Sequence, residues 1–125
     1  MAGQICLDTS VCIELVKRNS TVTSFIKEFS EATAFLPSVT AFELLLRSHN
    51  LADVKELIQK TKILDFTKEA AEEASNIEKD LKSRGALISR EDIFIAATAI
   101  VNNCALATLN VKDFSRIKGL KLLKI

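Results

Sequence analysis

The sequence predicts an α/β domain in three layers, a parallel sheet with helices on both faces. Two observations lead there. Five short runs, at residues 5–8, 34–36, 63–66, 105–108 and 120–122, are mostly apolar instead of alternating, which is how strands buried on both faces read. The longer stretches between them carry apolar residues three or four positions apart, the spacing of helices. At 125 residues the chain suits a single domain, 1–125, long enough to bury a core without crosslinks.

Each element has a local reason. The first strand ends in the turn formers Asp8, Thr9 and Ser10, and a short helix is expected over 11–16. Val22, Phe25, Ile26 and Phe29 form one stripe, which predicts a helix over 21–29. The second strand closes at Pro37-Ser38, and helices follow over 40–47 and 51–60. After the third strand, Thr67 is suited to cap a long helix running to about residue 84, and Gly85 to stop it. Ser89 is suited to cap a helix over 90–102, with Ile93, Ala96, Ala97 and Ile100 at helical spacing. The fourth strand leads into a loop over 109–114, and then comes the fifth.

Composition removes several classes. With 48% hydrophobic and 26% charged residues, the chain reads as an ordered globular protein. The N-terminus lacks the basic start and apolar run of a signal peptide, and no stretch is long and apolar enough to span a bilayer. A cytoplasmic protein without a membrane partner is expected. Cys6, Cys12 and Cys104 lie in apolar segments without Cys-x-x-Cys spacing, so they read as buried thiols rather than disulfides or zinc ligands. His49 is the single histidine, which excludes a histidine metal site and catalysis by paired histidines. The net charge of +1 carries no global nucleic-acid signature. Lys112, Arg116, Lys118, Lys121 and Lys124 nonetheless form a basic tail against one acid, Asp113.

Four acids fall on one edge. In a parallel α/β fold, strand C-termini and helix N-termini share the edge where ligands bind. Asp8 ends the first strand, Glu43 lies early in the helix after the second, Asp92 opens the helix capped by Ser89, and Asp113 follows the fourth strand. Each has an ordinary explanation as a cap, a helix-dipole partner or a solvated position. However, Glu43 sits within Ala41-Phe42-Glu43-Leu44-Leu45-Leu46 and Asp92 precedes Ile93-Phe94-Ile95-Ala96-Ala97, so both acids border the core without an evident basic partner. Crowded carboxylates repel one another, and a hard divalent cation such as Mg²⁺ or Mn²⁺ relieves that repulsion. Such an ion can activate water and neutralise charge on an attacked phosphate, a route to phosphodiester hydrolysis that needs no histidine.

At these residues the sequence resembles the PIN-domain family, and within it the VapC toxins of toxin–antitoxin pairs. The similar segments are Leu7-Asp8-Thr9-Ser10-Val11-Cys12-Ile13-Glu14-Leu15, Thr40-Ala41-Phe42-Glu43-Leu44, Asp92-Ile93-Phe94-Ile95-Ala96-Ala97-Thr98-Ala99 and Thr108-Leu109-Asn110-Val111-Lys112-Asp113-Phe114. Their order and spacing match across the whole chain. The resemblance implies a five-stranded sheet in the order 3-2-1-4-5, a homodimer, and a Mg²⁺- or Mn²⁺-dependent endoribonuclease acting on an RNA substrate. It also implies a VapB-like antitoxin as partner. Asp8, Glu43, Asp92 and Asp113 would be catalytic and metal-binding, with Asp8 and Asp92 the direct ligands. Thr108 would orient water or the acids, and Asn110 would support the loop. Leu109 departs from the basic or polar residue of many relatives. Without Trp or Tyr, base stacking would fall to Phe or Arg.

Three other classes share parts of this pattern. A PIN nuclease of RNA processing would lack an antitoxin, and a non-catalytic PIN module would have lost acids that are present here. A phosphoacceptor receiver domain needs an Asp after its third strand, where this sequence has Phe66-Thr67.

Overall fold

The computed structural model describes residues 4–28 and 34–125. Five strands alternate with seven helices among them: β1 (Ile5–Leu7), α1 (Thr9–Val16), α2 (Ser20–Lys27), β2 (Ala34–Pro37), α3 (Ser38–Leu45), α4 (Leu51–Lys60), β3 (Lys62–Leu64), α5 (Lys68–Ser83), α6 (Arg90–Val101), β4 (Ala105–Thr108), α7 (Val111–Phe114) and β5 (Leu122–Lys124). The expected second helix ended at Phe29, which lies outside the described residues.

All strand pairs are parallel, in the order β3-β2-β1-β4-β5. The pleat sorts side chains to the two faces. Ile5 and Leu7 of β1, Leu36 of β2 and Ala107 of β4 join a core with Val11, Cys12, Val22, Leu44 and Val54 from α1 to α4. Cys6 and Leu106 face the other way, into a core with Ala74, Ile77 and Leu81 of α5, most of α6, and Phe114. The three layers are therefore α1–α4, the sheet, and α5–α7. All three cysteines are buried free thiols.

The long helix has the ends its sequence requires. The Thr67 side chain accepts a hydrogen bond from Ala70 N at 3.2 Å. At the other end Gly85 sits at φ 63°, while Ala86 N donates to Leu81 O at 2.8 Å and Gly85 N to Lys82 O at 3.1 Å. That pair of bonds is a Schellman stop, which needs a left-handed residue. Thr67→Ala is expected to cost about 1 kcal/mol and lower the melting temperature by roughly 3–6 °C. An unchanged melting curve would show that α5 is held by packing alone.

Most boundaries shift by one or two residues from expectation, α3 ending at Leu45 rather than 47, and four of the shifts have a structural reason. The first helix starts at Thr9 because Asp8 is its N-cap. The third begins at Ser38, directly after Pro37. Strand β3 ends at Leu64, where its ladder with β2 ends at Pro37. Strand β5 is shifted toward the C-terminus because Leu122 pairs with Leu106, after a turn at Gly119 with φ 81°. The expected loop over 109–114 contains one further helical turn, α7. Asp65 now directly follows β3, so the ground for rejecting a receiver domain changes. The sheet order settles it: β3 is an edge strand here, whereas the flavodoxin-like order 2-1-3-4-5 places it centrally.

Candidate active site

Strand order reverses between β1 and β4, since β2 and β3 lie to one side of β1 and β4 and β5 to the other. A crevice opens there at the strand C-termini. Asp8 leaves β1 at this point, is 3% exposed, and caps α1. Its Oδ1 accepts from Val11 N at 2.9 Å and from the Ser10 hydroxyl at 2.7 Å. Its Oδ2 accepts from the Thr108 hydroxyl across the crevice.

Those two hydroxyls are themselves fixed by the β4–α7 loop. Thr108 Oγ1 accepts from Asn110 N at 2.8 Å, and Ser10 Oγ accepts from Leu109 N at 3.2 Å. Leu109 therefore joins the site through its backbone, while its side chain is 44% exposed. Asn110 Nδ2 donates to Asp113 Oδ2 at 3.2 Å, and Arg116 stands 3.9 Å from Asp113 Oδ1. On α3, Glu43 Oε1 accepts from the Thr9 hydroxyl at 2.5 Å. Asp92 lies in the first turn of α6, whose cap Ser89 accepts from Asp92 N at 3.2 Å.

Electrostatics ties these positions together. Burial raises the Asp92 carboxyl to about 6, with Glu43, Asp8 and Asp113 adding to the rise and a hydrogen bond from Ser89 opposing it. Burial also raises Asp8, against hydrogen bonds from Thr108, Val11 and Ser10. Three acids from three other elements are thus close enough for Asp92 to register their charge. Among the described residues, however, no three Asp, Glu, His or Cys side chains stand close enough to hold one ion together.

All four expected acids lie on this edge, with Thr108 and Asn110 between Asp8 and Asp113. Thr9 and Ser10, read only as turn formers, are the two hydroxyls that sequence reasoning missed. A polar residue straight after an acid at a strand end was the available signal. The basic tail is partly engaged, since Arg116 faces Asp113 and Lys118 lies 3.8 Å from Asp80.

A parallel three-layer fold with acids along its switch-point edge, and no histidine among them, outlines a candidate carboxylate-based site. The PIN domain family matches residues 5–120, and the chain belongs to that family. It is 33% identical to Ribonuclease VapC1 of Rickettsia felis, over 97% of this chain and 96% of that protein. The tRNA(fMet)-specific endonuclease VapC of Salmonella typhimurium is 27% identical over 93% of each. Among solved structures, DNA-bound VapBC from Salmonella typhimurium superposes with a TM-score of 0.90 at 25% identity, covering 98% of both chains.

Proposed function

We propose that the chain is a single-domain, divalent-metal-dependent endoribonuclease, the toxin of a toxin–antitoxin pair. The observation that carries this reading is the convergence of Asp8, Glu43, Asp92 and Asp113 on the sheet's switch point, where Asp92 registers the charge of the other three. The Rickettsia and Salmonella relatives named as VapC nucleases supply the reaction class.

The donor set fits a hard cation. It is all carboxylate, and a buried acid with a raised pKa gains when a positive charge replaces its proton. Mg²⁺ or Mn²⁺ suits such a set, because Mg²⁺ in particular keeps several waters and takes one or two carboxylates directly. Asp8 and Asp92 would be its direct ligands in this reading, with Glu43 and Asp113 completing the acidic set. When bound, the ion supplies charge neutralisation at the phosphate and acidifies water.

The chain's own groups supply the positioning. Thr108 and Ser10 donate to opposite oxygens of Asp8, which fixes the carboxylate plane; Ser10 and Val11 N together occupy Oδ1, and Oδ2 keeps a free lone pair. Thr9 holds Glu43, and Asn110 holds Asp113. With Glu43 and Asp92 only half-buried, a backbone phosphate has access from the open edge.

A VapB-like antitoxin is the proposed partner, alongside self-association as a homodimer. Phe42 and Leu45 on α3 and Leu46, its C-cap, are 56%, 47% and 70% exposed. Grouped large apolar side chains on a surface mark a contact region. Their place around Glu43 puts a bound partner beside the acids. No helix among the described residues is long and apolar enough to cross a membrane.

Incubation with total RNA and with tRNA(fMet), with Mn²⁺ or with chelator, tests the function. Discrete cut ends that disappear in chelator are expected. Intact RNA under all conditions, or cutting indifferent to chelator, would overturn the proposal.

A further inference from the structure

We propose that the cavity between Phe66, Phe94 and the basic face of α5 is a stacking shelf, receiving one unpaired base of the RNA beside the cleaved bond. The proposal rests on the ribonuclease reading above. The rings of Phe66 and Phe94 lie 4.8 Å apart between centroids and are tilted by 51°. Phe66 is 36% exposed, although a phenylalanine with no contact function gains by burial. Both rings line a cavity of about 420 Å³, together with Glu78, Lys79, Lys82 and Arg90. That volume falls within the roughly 300–1,000 Å³ of small-molecule sites.

Place and charge select the occupant. Phe66 follows the C-terminal end of β3, and its N–H donates to Ser38 Oγ at the start of α3, at 3.2 Å. Phe94 stands two residues beyond Asp92 on α6. The aromatic end of the cavity therefore lies toward the edge that carries the four acids, and Lys79 and Lys82 line it farther along α5. Arg90 is held by Glu78 through two hydrogen bonds, of 3.0 and 3.1 Å. This pairing uses the cavity's single acid, and Lys79 and Lys82 remain to meet a phosphate. An aromatic face flanked by cations is the combination that binds single-stranded nucleic acid, by stacking and by charge. It also supplies the stacking surface in a chain without Trp or Tyr.

The test is binding, read by fluorescence anisotropy in chelator so that nothing is cut. A labelled RNA oligonucleotide spanning a mapped cut site is compared with copies carrying one abasic position each. Wild type should bind one abasic copy roughly five- to hundredfold more weakly. Phe66→Leu, which keeps an apolar side chain without the ring, should bind the unmodified RNA more weakly and be indifferent at that position. Lys79→Gln with Lys82→Gln, both at the surface, should each reduce the salt slope of binding by roughly 0.7. The shelf is overturned if Phe66→Leu stays as sensitive to the abasic position as wild type, or if the lysine variants leave the slope unchanged. It is also overturned if light scattering shows that Phe66→Leu alters the oligomeric state, because the cavity would then serve a second copy. Cleavage by wild type with no effect of Phe66→Leu removes the shelf alone. A wild type that neither cuts nor binds RNA removes the ribonuclease reading and the shelf together.

Discussion

Asp92→Asn and Asp8→Asn are each expected to lower Mn²⁺-dependent RNA cleavage by at least about 100-fold, a loss of roughly 2.7 kcal/mol of transition-state stabilisation. Both substitutions keep side-chain volume and remove one charge from the set that attracts the cation. At position 8 the fold tolerates the change, because Asn caps a helix about as well as Asp. The hydroxyls of Ser10 and Thr108 also retain lone pairs with which to accept from an amide. Circular dichroism should therefore be unchanged. Glu14→Gln is the control. Glu14 lies on α1 beyond the site, accepting from Asn19 at 3.1 Å and standing 3.7 Å from Lys17, and its variant should cut at the wild-type rate. Normal cleavage by both Asn variants would remove these acids from the chemistry.

The second large effect needs no RNA. The folded-state pKa of Asp92, about 6, lies above its ordinary value of 3.8. Stability from the protonated form is fully present below the unfolded pKa and is lost as pH rises through the folded one. At pH 7 the charged carboxylate therefore burdens the metal-free fold, and Asp92→Asn should melt higher than wild type. Adding Mn²⁺ at a hundredfold excess over its dissociation constant should contribute about 2.7 kcal/mol to wild type, or roughly 8–16 °C for a domain of this size. The variant should gain much less, and the wild-type gain should shrink below pH 6 as Asp92 keeps its proton. Equal metal shifts in the two proteins would assign the acids a purely structural role.

Asp8 shows why a helix cap and a proposed ligand are not alternatives. The sequence offered a helix cap as its ordinary explanation, and it does cap α1, through Val11 N. Only one of its oxygens is engaged this way, while the other faces Thr108 across the crevice. What was legible in the sequence depended on local rules. Apolar runs marked the strands, Thr67 and Ser89 the helix starts, and Gly85 a helix end, each a matter of a few adjacent residues. The edge shared by the acids followed from the parallel fold. The hydroxyl partners were not legible, because Thr108 to Asp8 spans 100 positions and Thr9 to Glu43 spans 34. Such pairs exist only once strand register is set. Helix α7 was missed because one turn, with Val111 and Phe114 as its apolar pair, is too short to show a period.

The bond from Thr108 to Asp8 also bears on how the protein is made. Strand β4 pairs with β1, yet the two residues that close the crevice are synthesised 100 positions apart. Contacts this distant in sequence form late, because a long loop must close before they repay its entropy. A nascent chain halted before Ala105 carries Asp8, Glu43 and Asp92 but lacks Asp113 and the β4 wall of the crevice. The proposed site is therefore complete only after β4 and α7 have left the ribosome.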